Sequence, residues 1–178
     1  MRKKLLGVDF GAGGCKATVI DLTGNILATA FQEYSSEHRY PGWSEQDPKL
    51  WIGSLIYTIN SCRKQLNNNF SGILSMAITA STHNAVLLDG NGEVIRNCIM
   101  WNDQRSGEQC KRLKEKYGDQ IFEIGMQMPT PTWTLPQLLW IKENEPENYN
   151  RISKLMFTKD YIRRFLYRCR RCSGKSSV

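Results

Sequence analysis

The stretch GVDFGAGGCKATVID, residues 7–21, leaves the chain few ways to fold. An apolar run ends at Asp9-Phe10, Gly11-Ala12-Gly13-Gly14 follows with no bulky side chain, and a second apolar run begins at Cys15. Short apolar runs separated by small turn residues read as paired strands rather than as one helix. KLLGVD (4–9) is predicted as a buried strand, CKATVID (15–21) as a second and NILATAF (25–31) as a third, with the turn signal Asp-Leu-Thr-Gly-Asn at 21–25. Three strands joined by tight turns make an antiparallel opening. A dinucleotide-binding βαβ start is thereby set aside, since there a helix follows the first strand.

The rest of the chain alternates. Asp47-Pro48 reads as a helix start, with Asp47 as N-cap and Pro48 at the first helical position. Trp51, Leu55, Ile59, Cys62 and Leu66 form one stripe at helical spacing, and Asn67-Asn68-Asn69 ends it. ILSMAITA (73–80) is a fourth strand. AVLLD (85–89), EVI and NCIMW read as strands around the turn at Gly90-Asn91-Gly92. Residues 103–117 are predicted as an exposed helix ending at Gly118, and Pro129-Thr-Pro131 as a loop. Thr134 with Gln137 reads as a capping box opening a helix through about Lys142. KLMF (154–157) is a short strand, and a last helix begins at 158. Strands alternating with helices predict an α/β fold.

The chemistry concentrates at the first turn. A carboxylate at the end of a buried strand needs a partner or a task. A glycine-rich turn beside it leaves backbone N–H groups unshielded, a cradle for phosphate. Asp9 can hold Mg²⁺ directly or through water, and Lys16 can reach the same phosphates as a point charge. From spacing alone a plain hairpin with a solvated Asp9 is an equal alternative. The turn is neither a Walker A loop nor a GxGxxG fingerprint.

DFGAGGCK resembles the first phosphate motif, Asp-x-Gly-x-x-x-x-Lys/Arg, of the actin/hexokinase/Hsp70 ATPase superfamily, whose domains are ribonuclease-H-like. Ala12 stands where many members carry Thr or Ser, so one hydroxyl contact to phosphate is lost. PGWSEQDPKLW (41–51), ASTHNAVLLDGNG (80–92), MWNDQRS (100–106) and FTKDYIRRFL (157–166) together resemble the FGGY carbohydrate kinases, xylulokinases most closely. The resemblance covers residues 4–166. It implies ATP-dependent phosphorylation of a ketose, D-xylulose first, with another pentulose, a polyol or a sugar acid as alternatives. It implies ATP and Mg²⁺ as cofactors, with Asp9 positioning metal and phosphate and Gly11, Ala12, Gly13, Gly14 and Lys16 forming the cradle. It also implies sugar contacts at Thr82, His83, Trp101, Asn102 and Asp103. From the residues alone, His83 is a histidine satisfied by backbone, Trp101 a core residue, and Asp103 a helix N-cap. Ser81-Thr82 replace the Gln-Met common in xylulokinases, and Asn84 replaces their Gly.

In that family the aspartate base and most adenosine contacts lie in a second domain, so residues 1–166 are expected to be an N-terminal domain that is inactive alone. The last segment, YRCRRCSGKSSV (167–178), departs from the family pattern and is expected to be a frameshifted or truncated reading; Cys169-x-x-Cys172 would otherwise be half a zinc site. Composition adds exclusions. The net charge is +7, but Arg168, Arg170, Arg171 and Lys175 lie in this acid-free tail, and without them 20 basic residues face 17 acidic ones. Nucleic-acid binding is therefore not expected. The first apolar run breaks at Asp9, too early for a secretion signal or a membrane span. Six irregularly spaced cysteines then read as reduced cytoplasmic thiols. A homodimer of the full-length protein is left open. The rival readings are a non-catalytic sugar- or nucleotide-binding module on the same fold and, less favoured, a ribonuclease-H-like nuclease, for which no second clustered acid is placed.

Overall fold

The computed structural model describes the backbone of residues 3–173 and the side chains of residues 3–168. The zinc half-site at Cys169 and Cys172 lies outside the described side chains. In chain order the elements are β1 (Lys4–Phe10), β2 (Gly14–Asp21), β3 (Ile26–Glu33), β4 (Glu45–Gln46), α1 (Pro48–Gln65), β5 (Ile73–Ala80), β6 (Ala85–Leu88), β7 (Cys98–Ile99), α2 (Gly107–Gly125), α3 (Thr134–Asn144), α4 (Pro146–Asn150), β8 (Lys154–Phe157) and α5 (Thr158–Ser173). They divide into two compact units, one of Met1–Ser36, Pro48–Ser81 and Thr158–Val178, the other of Glu37–Asp47 and Thr82–Phe157.

The first unit is built on a four-stranded sheet of order β3-β2-β1-β5. β1 and β2 pair antiparallel, β2 and β3 likewise, and β5 joins β1 in parallel. The antiparallel opening is the predicted one, and the β1–β3–α1–β5 order makes the parallel pairing through a helical crossover. Alternation sets the faces. Leu6, Val8 and Phe10 of β1, Cys15, Ala17 and Val19 of β2 and Ala28 of β3 are buried, as are Trp51, Leu55 and Cys62 of α1. Asp9, Lys16, Thr29 and Phe31 lie exposed on the opposite face. α1 ends where predicted, with Asn67 and Asn68 in the left-handed region at φ 51° and 60°, which Asn tolerates better than most residues.

The β2–β3 turn is fastened by Asp21. Its carboxylate accepts the Thr23 hydroxyl at 2.7 Å, the Thr23 N–H at 2.9 Å, the Asn25 N–H at 3.0 Å and the Asn25 side-chain amide at 3.1 Å. The Thr23 hydroxyl first, then the Asn25 amide, hold its carboxyl well below the usual carboxylate range. Because the folded value lies below the unfolded one, this stabilisation is complete above about pH 4 and is lost as pH falls below that. The urea midpoint of the native chain should therefore fall more between about pH 5 and about pH 3 than that of Asp21→Asn; equal falls would contradict the assignment.

The second unit carries two short ribbons, β4 with β7 and β6 with β8. Its core gathers Leu87, Ile99 and Ile141, with Ile95, Leu138, Trp140 and Leu155 packed on them. Several boundaries differ from expectation. Residues 93–95 form no strand of their own: they make the Leu88–Val94 bridge, the Ile95 N–H bond to the Leu87 carbonyl, and a pair of bonds between Glu93 and Asp89 that closes the turn. β4 falls between the third predicted strand and the Asp47-Pro48 helix start, where no element was expected, because two residues carry no readable period. α2 runs through Gly118 and ends at Met126, in the left-handed region at φ 53°. Glycine only weakens a helix, and here the helix continues past it. The capping box at Thr134 does not form: Trp133 is the N-cap, without a side-chain bond. α4 was not foreseen. No helix among the described residues is long and apolar enough to cross a membrane.

Candidate functional site

In the first unit, β1 and β2 place Asp9 directly opposite Lys16, with Thr79 of β5 on the other side of Asp9 and Phe31 beyond Lys16. Directly opposed antiparallel residues share a face, so carboxylate and ammonium stand together on the exposed side of the sheet. Gly11, Ala12 and Gly13 form the turn between them. The Gly11 N–H bonds the Gly14 carbonyl at 3.0 Å, closing it. Tyr34, which the sequence did not mark, fastens it twice: its hydroxyl donates to the Gly11 carbonyl at 2.7 Å and its N–H bonds the Gly13 carbonyl at 3.2 Å. Burial pushes the Tyr34 phenol up, so it stays a donor.

The glycines differ in what they require. None of Gly11, Gly13 and Gly14 has a positive φ. A Cβ on Gly14 would meet the Phe31 ring at 2.3 Å and the Gln32 carbonyl at 2.8 Å, so Gly14 is a packing necessity. A Cβ on Gly13 would meet nothing within 4 Å, leaving open space over the turn. An exposed carboxylate, an exposed ammonium and an uncovered small-residue turn fit a phosphate group with one carboxylate-held Mg²⁺, the usual sparse protein coordination of that ion. Among the described residues no group of three or more His, Cys, Asp and Glu side chains is placed to hold a metal ion by itself. Cys15 beneath the hairpin is buried, its thiol pushed up mainly by that burial. Cys15, Cys62, Cys98 and Cys110 are all free and buried.

In the second unit, His83 follows Thr82, both exposed, with His83 left-handed at φ 62°. Its ring stacks on Trp133 with centroids 6.0 Å apart and planes 8° from parallel, and its carbonyl accepts the Thr134 hydroxyl at 3.4 Å. A strained, exposed histidine stacked on an aromatic side chain differs from a backbone-satisfied one. Trp133 sat in an apparent loop and was missed. Asn84, buried, accepts the Trp101 N–H on its Oδ1 at 2.8 Å, tying the 82–84 segment to 101. Trp101 itself is 45% exposed, so it is not a core residue. Gln137 donates to the Met100 carbonyl at 3.2 Å and the Thr132 carbonyl at 3.4 Å, bracing both aromatic segments.

Asp103 is 0% exposed. It is not a helix N-cap, since α2 starts at Gly107 behind Ser106. Its Oδ1 accepts the Arg105 N–H and Nε, each at 2.9 Å, and its Oδ2 accepts Arg105 Nη2 at 2.8 Å and the Ser44 N–H at 2.6 Å. Arg105 is 1% exposed, bonds Glu45 at 2.5 Å, and lies with its guanidinium 3.6 Å from the Trp43 ring centroid and 5.0 Å from that of Trp140. Arg96 pairs with Glu45 and, at 3.3 Å, with Glu145. The PGW and WNDQR motifs are thus two halves of one buried ion network. Asn102 stays exposed beside it.

The sheet order and its helical crossover define a domain with the actin/hexokinase-like ATPase fold. A family model described as the FGGY family of carbohydrate kinases, N-terminal domain, matches residues 4–173, and the chain belongs to that family. It is similar to the xylulose kinase of Lactococcus lactis subsp. lactis, 32% identical over 158 residues, covering 89% of this chain and 32% of that protein. Among solved structures, one described as a xyloylose kinase from Brucella ovis superposes with a TM-score of 0.85 at 36% identity, over 90% of this chain and 33% of that one. The xylulose kinase of Rhodospirillum rubrum shares the fold, with a TM-score of 0.86 at 23% identity over 90% of this chain and 33% of that one. The chain spans about a third of the length of the curated relatives it matches.

Proposed function

We propose that this chain is the phosphate- and sugar-holding part of an ATP-dependent kinase for a ketose, D-xylulose first. The observation that carries the reading is the Asp9–Lys16 pair, opposed in register on the exposed sheet face beside an uncovered glycine turn. Asp9 orients Mg²⁺, which when bound screens the charge that develops on the transferred phosphoryl. Gly11, Ala12, Gly13 and Gly14 offer backbone to the phosphates, and Lys16 holds them by charge. His83 and Thr82, stacked and braced at Trp133 and Thr134, hold sugar hydroxyls. Trp101 supplies an apolar face and Asn102 an amide. Asp103 contributes by holding the Trp101–Asn102 turn through Arg105 and Ser44. A pentulose other than xylulose, a polyol and a sugar acid are the alternative substrates, and the Asn84 replacement is the place to test them.

The proposal includes a cytoplasmic setting, no nucleic-acid or membrane partner, and an aspartate base supplied by polypeptide beyond residue 166, so that these 178 residues alone are inactive. A homodimer of the full-length protein is left open. Reading all three frames of the source DNA past codon 166 tests the division there. In the full-length kinase, Asp9→Ala should lower kcat by on the order of 10²-fold or more, with little change in thermal midpoint because Asp9 is exposed. Normal turnover in that variant would sink the assignment.

A further inference from the structure

We propose that the second unit carries an anion site, apart from the His83–Trp133 stack but sharing Asn102 with the proposed sugar contacts, which takes a phosphate group either free or borne on a small hydroxylated molecule. The site is a depression of about 430 Å³ lined by His38, Arg39, Tyr40, Pro41, Gly42, Trp43, Ser44 and Asn102.

Three observations carry it. The first is an orphan. Ser44 is 3% exposed, yet its hydroxyl has no hydrogen-bond partner among the described residues. A buried hydroxyl left unpaired loses its water bonds without replacement, on the order of 1–3 kcal/mol, unless a ligand or water supplies them. The second is charge. The depression has no carboxylate in its lining; Glu37, Glu45 and Glu145 line the neighbouring one, with which it shares Arg39 and Trp43. Among the described residues Arg39 forms no ion pair; its guanidinium only approaches the Tyr40 ring, 6.0 Å from the centroid. A guanidinium beside a hydroxyl and an amide is a donor set for an oxyanion. His38 Nδ1 lies 2.8 Å from the Trp43 carbonyl and donates to it, which fixes the ring and leaves Nε2 as an acceptor for the hydroxyl of a monohydrogen phosphate.

The third is rigidity. The two walls are bonded to each other before any ligand arrives. The Met100 N–H bonds the Ser44 carbonyl at 2.9 Å, the Gln104 N–H bonds the Gly42 carbonyl at 2.8 Å, and the Ser44 N–H bonds Asp103. Gly42 holds a positive φ of 77° at the tip, and the Trp43 N–H closes a turn on the Tyr40 carbonyl at 3.0 Å. A preformed wall lowers the ordering penalty of binding. The tetrahedral oxygens of phosphate can meet donors on several walls at once, which a flat carboxylate cannot.

The inference stands on this lining and not on the kinase reading. The test is a ¹⁵N NMR titration of the 178-residue chain with inorganic phosphate, with ribose 5-phosphate and with ribose. Both phosphates should shift Ser44 and Asn102 resonances, ribose should not, and Arg39→Gln should weaken phosphate binding by about tenfold, the scale of one lost charge-assisted bond. Tighter binding of ribose 5-phosphate than of inorganic phosphate would assign a phosphorylated small molecule; equal binding would assign the free ion. No phosphate-dependent shift at Ser44 and Asn102, or an unchanged Kd in Arg39→Gln, overturns the site. A missing xylulose response at His83 would count against the kinase reading and leave this site intact.

Discussion

Arg105→Met should destabilise the second unit by about 3–5 kcal/mol, the usual consequence of removing one member of a buried ion pair. The guanidinium neutralises Asp103, which no water reaches, and bonds Glu45 as well. Met fills similar volume between Trp43 and Trp140, so the loss is electrostatic rather than a cavity. Arg105→Lys should recover little, because an ammonium cannot reproduce two parallel bonds to one carboxylate while stacking on an indole. The double variant Asp103→Asn with Arg105→Met should be more stable than the sum of the single effects predicts, since the stranded charge is gone. Urea unfolding followed by tryptophan fluorescence reads this directly. A change below about 1 kcal/mol, the range of exposed pairs, would mean the network is solvated.

Gly14→Ala should be the most damaging change in the β1–β2 hairpin, and Gly13→Ala among the mildest for folding. The added methyl at residue 14 collides with the Phe31 ring and with the Gln32 carbonyl. The ring can rotate away, being 58% exposed, but the backbone oxygen can move only if β2 and β3 separate. Overpacking of this kind costs about 1–3 kcal/mol. At residue 13 there is room, and the methyl should leave the unfolding free energy within about 0.5 kcal/mol of native. Its effect belongs to function: it stands over the turn where a phosphate would approach. Equal stability losses in the two variants would contradict the geometry of the turn.

The sheet was legible because its signals are local. Short apolar runs marked β1, β2, β3 and β5, small residues marked their turns, and the stripe from Trp51 to Leu66 marked α1. Asp9 and Lys16 were legible for the same reason, since pairing across one hairpin follows from its turn. What escaped was long-range. β4 and β7 are two residues each and exist only because each pairs with the other. Gln137 looked like a cap partner and is instead a buried brace, because its carbonyl partners lie elsewhere in sequence. Asp103 looked like a ligand or a cap; only the fold brings Arg105, Trp43 and Ser44 around it. Tyr34 and Trp133 carried no signal, being single aromatic residues in stretches without period.

The central claim is that one end of this chain holds phosphates and another holds a sugar. The most direct measurement is a ¹⁵N NMR titration of the 178-residue chain, first with Mg·ADP and then with D-xylulose. The account predicts that Mg·ADP shifts the amides of Gly11–Gly14 and Lys16 and that Asp9→Asn abolishes the response. It predicts that D-xylulose shifts Thr82, His83 and the Trp101 and Trp133 indoles. Nucleotide shifts that bypass the glycine turn, or that survive in Asp9→Asn, would contradict it.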